Sequence, residues 1–437
     1  PSGPLTLVGV GGGVYYHMSR PAGASALPAC TGNPSIPSTI GSSISGIVYT
    51  PDSTKSIGIK LTVALALASQ KRAFNANATF EILFNTGGGL SDIWMYGNAK
   101  FMSDLDISAP PTFTTGGVPT PPSNGASISA NLNIHCNFQT GIFDGQTQVF
   151  ANVAGVLIGA DTNGRVCNAL FHFGKGTDWY IKIGSPSARA GMVFNVPGFG
   201  DIAQTMVYLQ IGKKIDQIPG LPSDIAALTG QQQSRKIQVR EGSGFCFGVD
   251  VQLGNENFEF LMFYAGLAIH LGFDVSVLNY GANAVCEGST DPIGINGWYA
   301  EGQIYAGIQA SLGIRVKIFG QRKQFNLMSL HVAAALQAKL PNPFWARGAV
   351  GFEYNILNGL IRGNGHFEFE IGEQCRIVGQ DDLLADLKVV TSTQPLNEEE
   401  LVPVSTTPEI SFSVPIGETF QFEPSDEAPI SYIVIMD

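Results

Sequence analysis

The chain has 437 residues, of which 14% are charged, 44% apolar and 53 glycine, and its formal net charge is −11. So much glycine with so little charge excludes a helical-bundle composition and points to β-structure, and the length exceeds what one hydrophobic core usually serves. The acidic balance leaves no basic stripe to neutralise phosphates, which excludes nucleic acid as a partner, and no run approaches the ~18 apolar residues of a membrane-spanning helix.

The first element is LTLVGVGGGVYYHM, an apolar strand interrupted by Gly11, Gly12 and Gly13. No Lys-Ser/Thr follows the glycines, so they read as a bulge or a close backbone approach and not as a phosphate loop. With no charged-then-apolar leader among these residues, any targeting signal is expected to lie outside this segment. Both ends of the sequence break off abruptly, and the chain is expected to be a window on a longer polypeptide.

Strict alternation begins with Ile57, Ile59, Leu61, Val63, Leu65 and Leu67, followed by the polar turn QKRAFNAN and the strand ATFEILFN. A period of two is the signature of a strand with two unlike faces, and these arms are longer than the ~5–6 residues usual in globular proteins. Further strands are expected around Ile93 to Tyr96 and Ala99 to Met102. The uncharged stretch 108–125 holds five prolines and reads as an extended surface loop. Alternation resumes at Ile128, Ala130, Leu132, Ile134 and Cys136. The segment DTNGR at 161–165 resembles half of a calcium loop but lacks the later carboxylates, and is expected to be a hairpin turn.

His172 and Asp178 lie close in sequence with no nucleophile beside them, and His172 is expected to be an exposed strand histidine. The character changes over 198–240, where Pro222-Ser223-Asp224 before IAAL reads as a short capped helix within the one helical insertion, serving as a lid or an edge cover for the sheet. The sheet then returns with Leu261, Phe263, Ala265, Leu267, Ile269, Leu271, Phe273, Val275 and Val277 on one face. It continues with Ile304, Ala306, Ile308, Ala310, Leu312, Ile314, Val316 and Ile318, expected to be buried, against Tyr305, Gln309, Ser311, Arg315 and Lys317 on the other face. Runs at 332–340, 346–354 and 367–371, joined by short turn-rich gaps, complete a set of neighbouring antiparallel strands.

The expected fold is therefore mainly β. It comprises one large antiparallel β domain over 1–385 with long curved or barrel-like strands, an acidic, proline-containing linker at 386–408, and the start of a small β-sandwich-type module at 409–437. Six cysteines show neither CxxC pairs nor metal-ligand spacing, so no metal site is expected. Cys30, Cys286 and Cys375 sit in turn-like surroundings where a disulfide would be useful, with Cys286 and Cys375 the candidate pair, whereas Cys136 and Cys246 fall within strands and read as small apolar groups.

At GINGWYAEGQIYAG (294–307), QAKLPNPFWARGAVGFEYNILNGLIRG (337–363) and FEFEIGEQC (367–375), together with VGGGVYYHM near the start, the chain resembles a region of giant, type IX-secreted cell-surface proteins of Bacteroidota. The resemblance implies an exported protein of the cell surface, such as a filament- or grapple-like appendage used in attachment or prey capture.

The leading functional expectation is a structural or adhesive module that assembles with copies of itself or with other surface components, because no catalytic constellation, cofactor motif or metal cluster is evident and long sheets have edges to hide. An integral outer-membrane β-barrel is the alternative. Tyr305, Gln309, Arg315, Lys317, Gln337, Lys339, Arg347 and Glu353 would line its interior, although aromatic girdles are not apparent in the sequence. A carbohydrate-binding or carbohydrate-acting protein is the third reading, with Asp291, Glu301, Glu353, Glu368 and Glu370 as carboxylates and Trp298 and Trp345 as surface aromatic contacts.

Overall fold

The computed structural model describes residues 5–20, 49–102, 127–161, 164–175, 179–213, 215–230, 243–260, 262–318, 321–375 and 377–378, and short strands at 390–394, 409–412, 419–422 and 430–433. The proline-rich loop 108–125, Cys30, Asp178, residues 231–240 of the insertion and most of the 386–408 linker lie outside the described residues.

Seventeen strands form one antiparallel sheet. They are β1 (Leu5–Tyr16), β2 (Lys55–Leu67), β3 (Phe74–Asn85), β4 (Leu90–Phe101), β5 (Ile128–Asn137), β6 (Ile142–Val153), β7 (Leu157–Gly159), β8 (Arg165–Phe173), β9 (Trp179–Ile183), β10 (Ala190–Val196), β11 (Gly200–Gly212), β12 (Ser243–Phe260), β13 (Phe263–Asn279), β14 (Trp298–Ile318), β15 (Gln321–Leu340), β16 (Trp345–Ile356) and β17 (Ile361–Gly372). Sequence neighbours pair in an up-and-down meander. The exceptions are β7 and β8, which lie end to end beside β6, and β9 and β10, which lie end to end beside β11. The seventeen strands thus fill fifteen positions, and β1 and β17, at its two edges, run in the same direction. Among the described residues no ladder joins them.

The polarity of the sheet is the reverse of the one expected from burial of the apolar rows, and is the one in which the barrel alternative turns Tyr305 and Gln337 inward. The apolar rows are the exposed rows: Leu267 is 52% exposed, and Ile57, Ile59, Leu61, Val207, Leu209, Ile304, Ile308, Leu330 and Val350 stand out beside it. The opposite face is buried and polar, with Asn75, Glu81, Asp92, Asn98, Lys100, Gln148, Gln210, Asp250, Asp274 and Gln303 all shielded. Alternation distinguishes two faces but does not say which lies inside. A sheet rolled about its own polar side encloses that side when the groups there find one another as partners.

Two further regularities follow from register. Exposed rings collect near the strand ends, Tyr16, Phe173, Trp179, Phe245 and Trp298 at one and Phe101, Phe194, Phe263 and Phe325 toward the other. Aliphatic residues dominate between them, with Phe80, Phe352 and Phe367 as exceptions. The aromatic bands absent from a linear reading are therefore made by pairing. The long connections, 17–54, 213–242 and 280–297, leave from one end of the sheet, while at the other end every connection is short except 102–127.

The described parts of two of those connections pack on the concave face. Tyr49 packs with Leu83, Trp94 and Tyr96, aided by Tyr15 and Met18. From the second comes α1 (Ser223–Thr229), too short to be stable alone and fixed by packing against β14 to β17. The side-chain cap expected of Pro222-Ser223-Asp224 is absent. Pro222 is the N-cap and no side-chain cap bond forms, while Gly230 ends the helix with φ 67° in the left-handed region. α1 is no edge cover, since it lies on the concave face. At the long-connection end, Cys286 and Cys375 are disulfide-bonded, next to a two-residue ladder between Val285–Cys286 and Ile377–Val378. Beyond it, 390–394 pairs with 409–412 and 419–422 with 430–433, two small antiparallel ladders.

Candidate functional site

The chemistry of this molecule is concentrated on the concave face, where strand alternation aims one polar row per strand. Asp274 on β13 is 0% exposed and accepts hydrogen bonds from Arg189 Nη2 (2.8 Å), Tyr208 Oη (3.0 Å) and Gln303 Nε2 (2.8 Å). Gln337 Nε2 extends the chain by donating to Gln303 Oε1 at 3.3 Å. Two same-face positions back along β13, His270 places Nδ1 2.9 Å from Asp224 Oδ2 and Nε2 2.8 Å from Asp250 Oδ2. A ring protonated on both nitrogens donates to both. Tyr305, 2% exposed, donates to Asp250 Oδ2 at 2.6 Å.

These rows hold the 215–230 segment along its whole length. Asp216 accepts from Lys182 Nζ (2.8 Å) and Gln210 Nε2 (2.8 Å), and its own amide donates to Gln210 Oε1. Gln303 Nε2 donates to the Pro219 carbonyl at 3.0 Å. Asp224 meets His270. Ile225 then sinks among Tyr305, Ala333 and Ala335, and a Cβ on Gly307 would lie 2.6 Å from its Cδ1. The Leu228 carbonyl sits so close to Gly351 that a Cβ there would be 1.8 Å away. Glycines on the concave face of β14 and β16 thus make room for the Ile225 side chain and the Leu228 backbone.

For Asp224, burial alone would push the carboxyl up, but the hydrogen bond and charge of His270 outweigh it and hold the group below the usual carboxylate range. The other half of the concave face has its own centre in Glu81, 0% exposed, which takes hydrogen bonds from Tyr15 Oη (2.5 Å) and Tyr49 Oη (2.9 Å). Asp92 accepts from Ser91 Oγ and lies 2.9 Å from His135 Nε2, with Lys55 Nζ at 3.7 Å.

Among the residues singled out from the sequence, Tyr305, Gln309, Gln337, Arg347 and Glu353 lie on the concave rows. The carboxylates do not converge. Glu368 pairs with Arg347, Glu370 accepts from Trp345 Nε1 at 2.7 Å, and Asp291 lies exposed in a loop. Trp298 is 41% exposed, but Trp345, expected at the surface, is 4% exposed, because its ring faces inward and its nitrogen is bonded to Glu370. His172 is not an exposed histidine, since Nδ1 lies 2.5 Å from Asp144 Oδ1 on the concave side. Among the described residues no group of His, Cys, Asp and Glu has the arrangement of a metal site. Asp250, Asp274, Glu81 and Gln303 were not distinguished by sequence, and the only signal for them is a polar residue recurring in phase on otherwise apolar strands.

Compared with protein-family models, with curated proteins and with solved structures, the chain matches none.

Proposed function

We propose that this chain is a membrane-embedded β-barrel-type protein of an outer membrane, with its convex face against lipid acyl chains, its polar concave face plugged by the 215–230 segment, and no reaction of its own. The observation that supports it most is the reversed polarity: aliphatic rows outside, carboxylates and amides inside. Water gives no reason to expose rows of Leu and Ile on the long strands β2, β13, β14 and β15, whereas a bilayer does. From Phe263 to Val277, which faces Phe245, β13 runs fifteen residues, and at the usual rise and a tilt of about 45° that covers roughly 30 Å, the thickness of a hydrocarbon core. Rings near the ends and long connections on one side fit the same arrangement.

The competing reading is a secreted surface appendage in which copies of the chain cover the apolar face. It accounts for exposed Leu and Ile, and the resemblance to giant Bacteroidota surface proteins supports it. It gives no reason for rings at both ends of an aliphatic band, nor for a polar interior filled by the chain itself. The two part company in a single preparation. In the first reading the purified chain needs detergent, inserts into phospholipid vesicles and migrates faster on unheated than on heated gels. Detergent-free solubility as a discrete oligomer, with no vesicle association, would refute it and leave the appendage.

A further inference from the structure

Beside α1, between the plug and the short-turn end, lies a cavity of about 420 Å³, within the size range of small-molecule sites. Among the described residues no Lys or Arg lines it, so an anion would find no counter-charge there beyond His270, which two carboxylates already hold. The two carboxylates in its wall are engaged too, Asp224 with His270 and Asp201 with Asn195 Nδ2 at 2.6 Å, which leaves a cation little to gain. The remaining polarity is amide. Gln204 spends its Nε2 on the thioether of Met206, a weak acceptor that a hydroxyl would improve on. Gln252 donates to Asp250 Oδ1 at 3.3 Å and keeps its carbonyl to accept. Gln309 enters from β14, and Phe199 brings an aromatic ring from the β10–β11 turn.

We infer that this cavity binds a neutral, polyhydroxylated solute of mono- or disaccharide size, its hydroxyls matched by the amides of Gln204, Gln252 and Gln309 and one sugar face against Phe199. The inference does not depend on what covers the convex face. The ligand would lie against Asp224, the residue that pins the plug, so occupancy and plug seating are coupled.

The test is calorimetric titration of the purified full chain with glucose, maltose and sucrose, and with putrescine and inorganic phosphate as charged comparators. At least one of the sugars should saturate, and Gln252→Leu should weaken it roughly tenfold, the worth of one hydrogen bond. Phe199→Ala, a change in a half-exposed turn that leaves the strands intact, should weaken it as well, which keeps the test valid if the Gln252 variant does not fold. Failure of all three sugars to saturate, an affinity unmoved by Phe199→Ala, or saturation by putrescine or phosphate in their place would each overturn the assignment.

Discussion

Asp274 shows how a single residue sets the cost of change on the concave face. Its carboxylate is fully enclosed and paired with Arg189, itself nearly buried. Asp274→Leu removes one partner and leaves a guanidinium without its counter-charge, which is expected to cost roughly 3–5 kcal/mol in denaturant unfolding. Adding Arg189→Met should restore part of that loss, because an apolar pair of similar size leaves no orphaned charge. Asp224 makes a prediction about pH. Its folded value lies below the ordinary ~3.9 of an unfolded aspartate, so the stabilisation is fully present above that pH and is lost as pH falls through the folded value. Amide protection factors over Ile225–Thr229 should therefore hold from about pH 7 to 5 and fall only below about pH 4.

Among the elements, α1 depends most on its surroundings. Seven residues with no side-chain cap do not hold a helix, and what holds this one is the recess that Gly307 and Gly351 leave in β14 and β16. Gly351→Val would drive two methyls into the Leu228 carbonyl. The expected result is expulsion of α1, with amide protection over Ile225–Thr229 falling at least tenfold while the β-type circular dichroism is unchanged. Loss of the strands together with the helix would show instead that the plug is needed to fold the sheet. The bond between Cys286 and Cys375 spans a sequence separation of 89, and closing a loop of that size is worth about 4–5 kcal/mol in the chain-entropy picture. Cys286→Ser should lower the unfolding midpoint by a corresponding amount in non-reducing conditions and not at all in excess dithiothreitol.

For the whole molecule, the decisive contrast is between the two faces. Leu271 sits in the middle of β13 with its side chain outward. In a bilayer, Leu271→Lys is expected to cost about 2–4 kcal/mol, measured by unfolding from vesicles, and a position near the strand ends should cost much less. If the convex face met water, the same change would be close to neutral at every depth. The edges carry a second consequence. Since β1 and β17 point the same way, a further strand lying between them would be antiparallel to both, and their exposed backbone groups are the part of the sheet most prone to pair with another chain.

How far the residues alone determine this protein can be followed strand by strand. Period-two alternation at 57–67, 263–277 and 304–318 fixes strand identity, because a pleated backbone sends successive side chains to opposite faces, and short turn-rich gaps fix the meander, because only antiparallel neighbours can be joined so briefly. The isolated Pro-Ser-Asp start announced α1. None of this carries the sign of the sheet. Whether Ile304 or Tyr305 points inward depends on what lies across the concave face, and that is decided by contacts between residues far apart in sequence: Asp250 with Tyr305, Asp274 with Arg189, Ile225 with Ala333. Burial is a property of the enclosing surface, which exists only once the strands have been wrapped around the plug, so the reversal of polarity, the rings gathered at the strand ends and the amide-lined cavity belong to the tertiary structure alone.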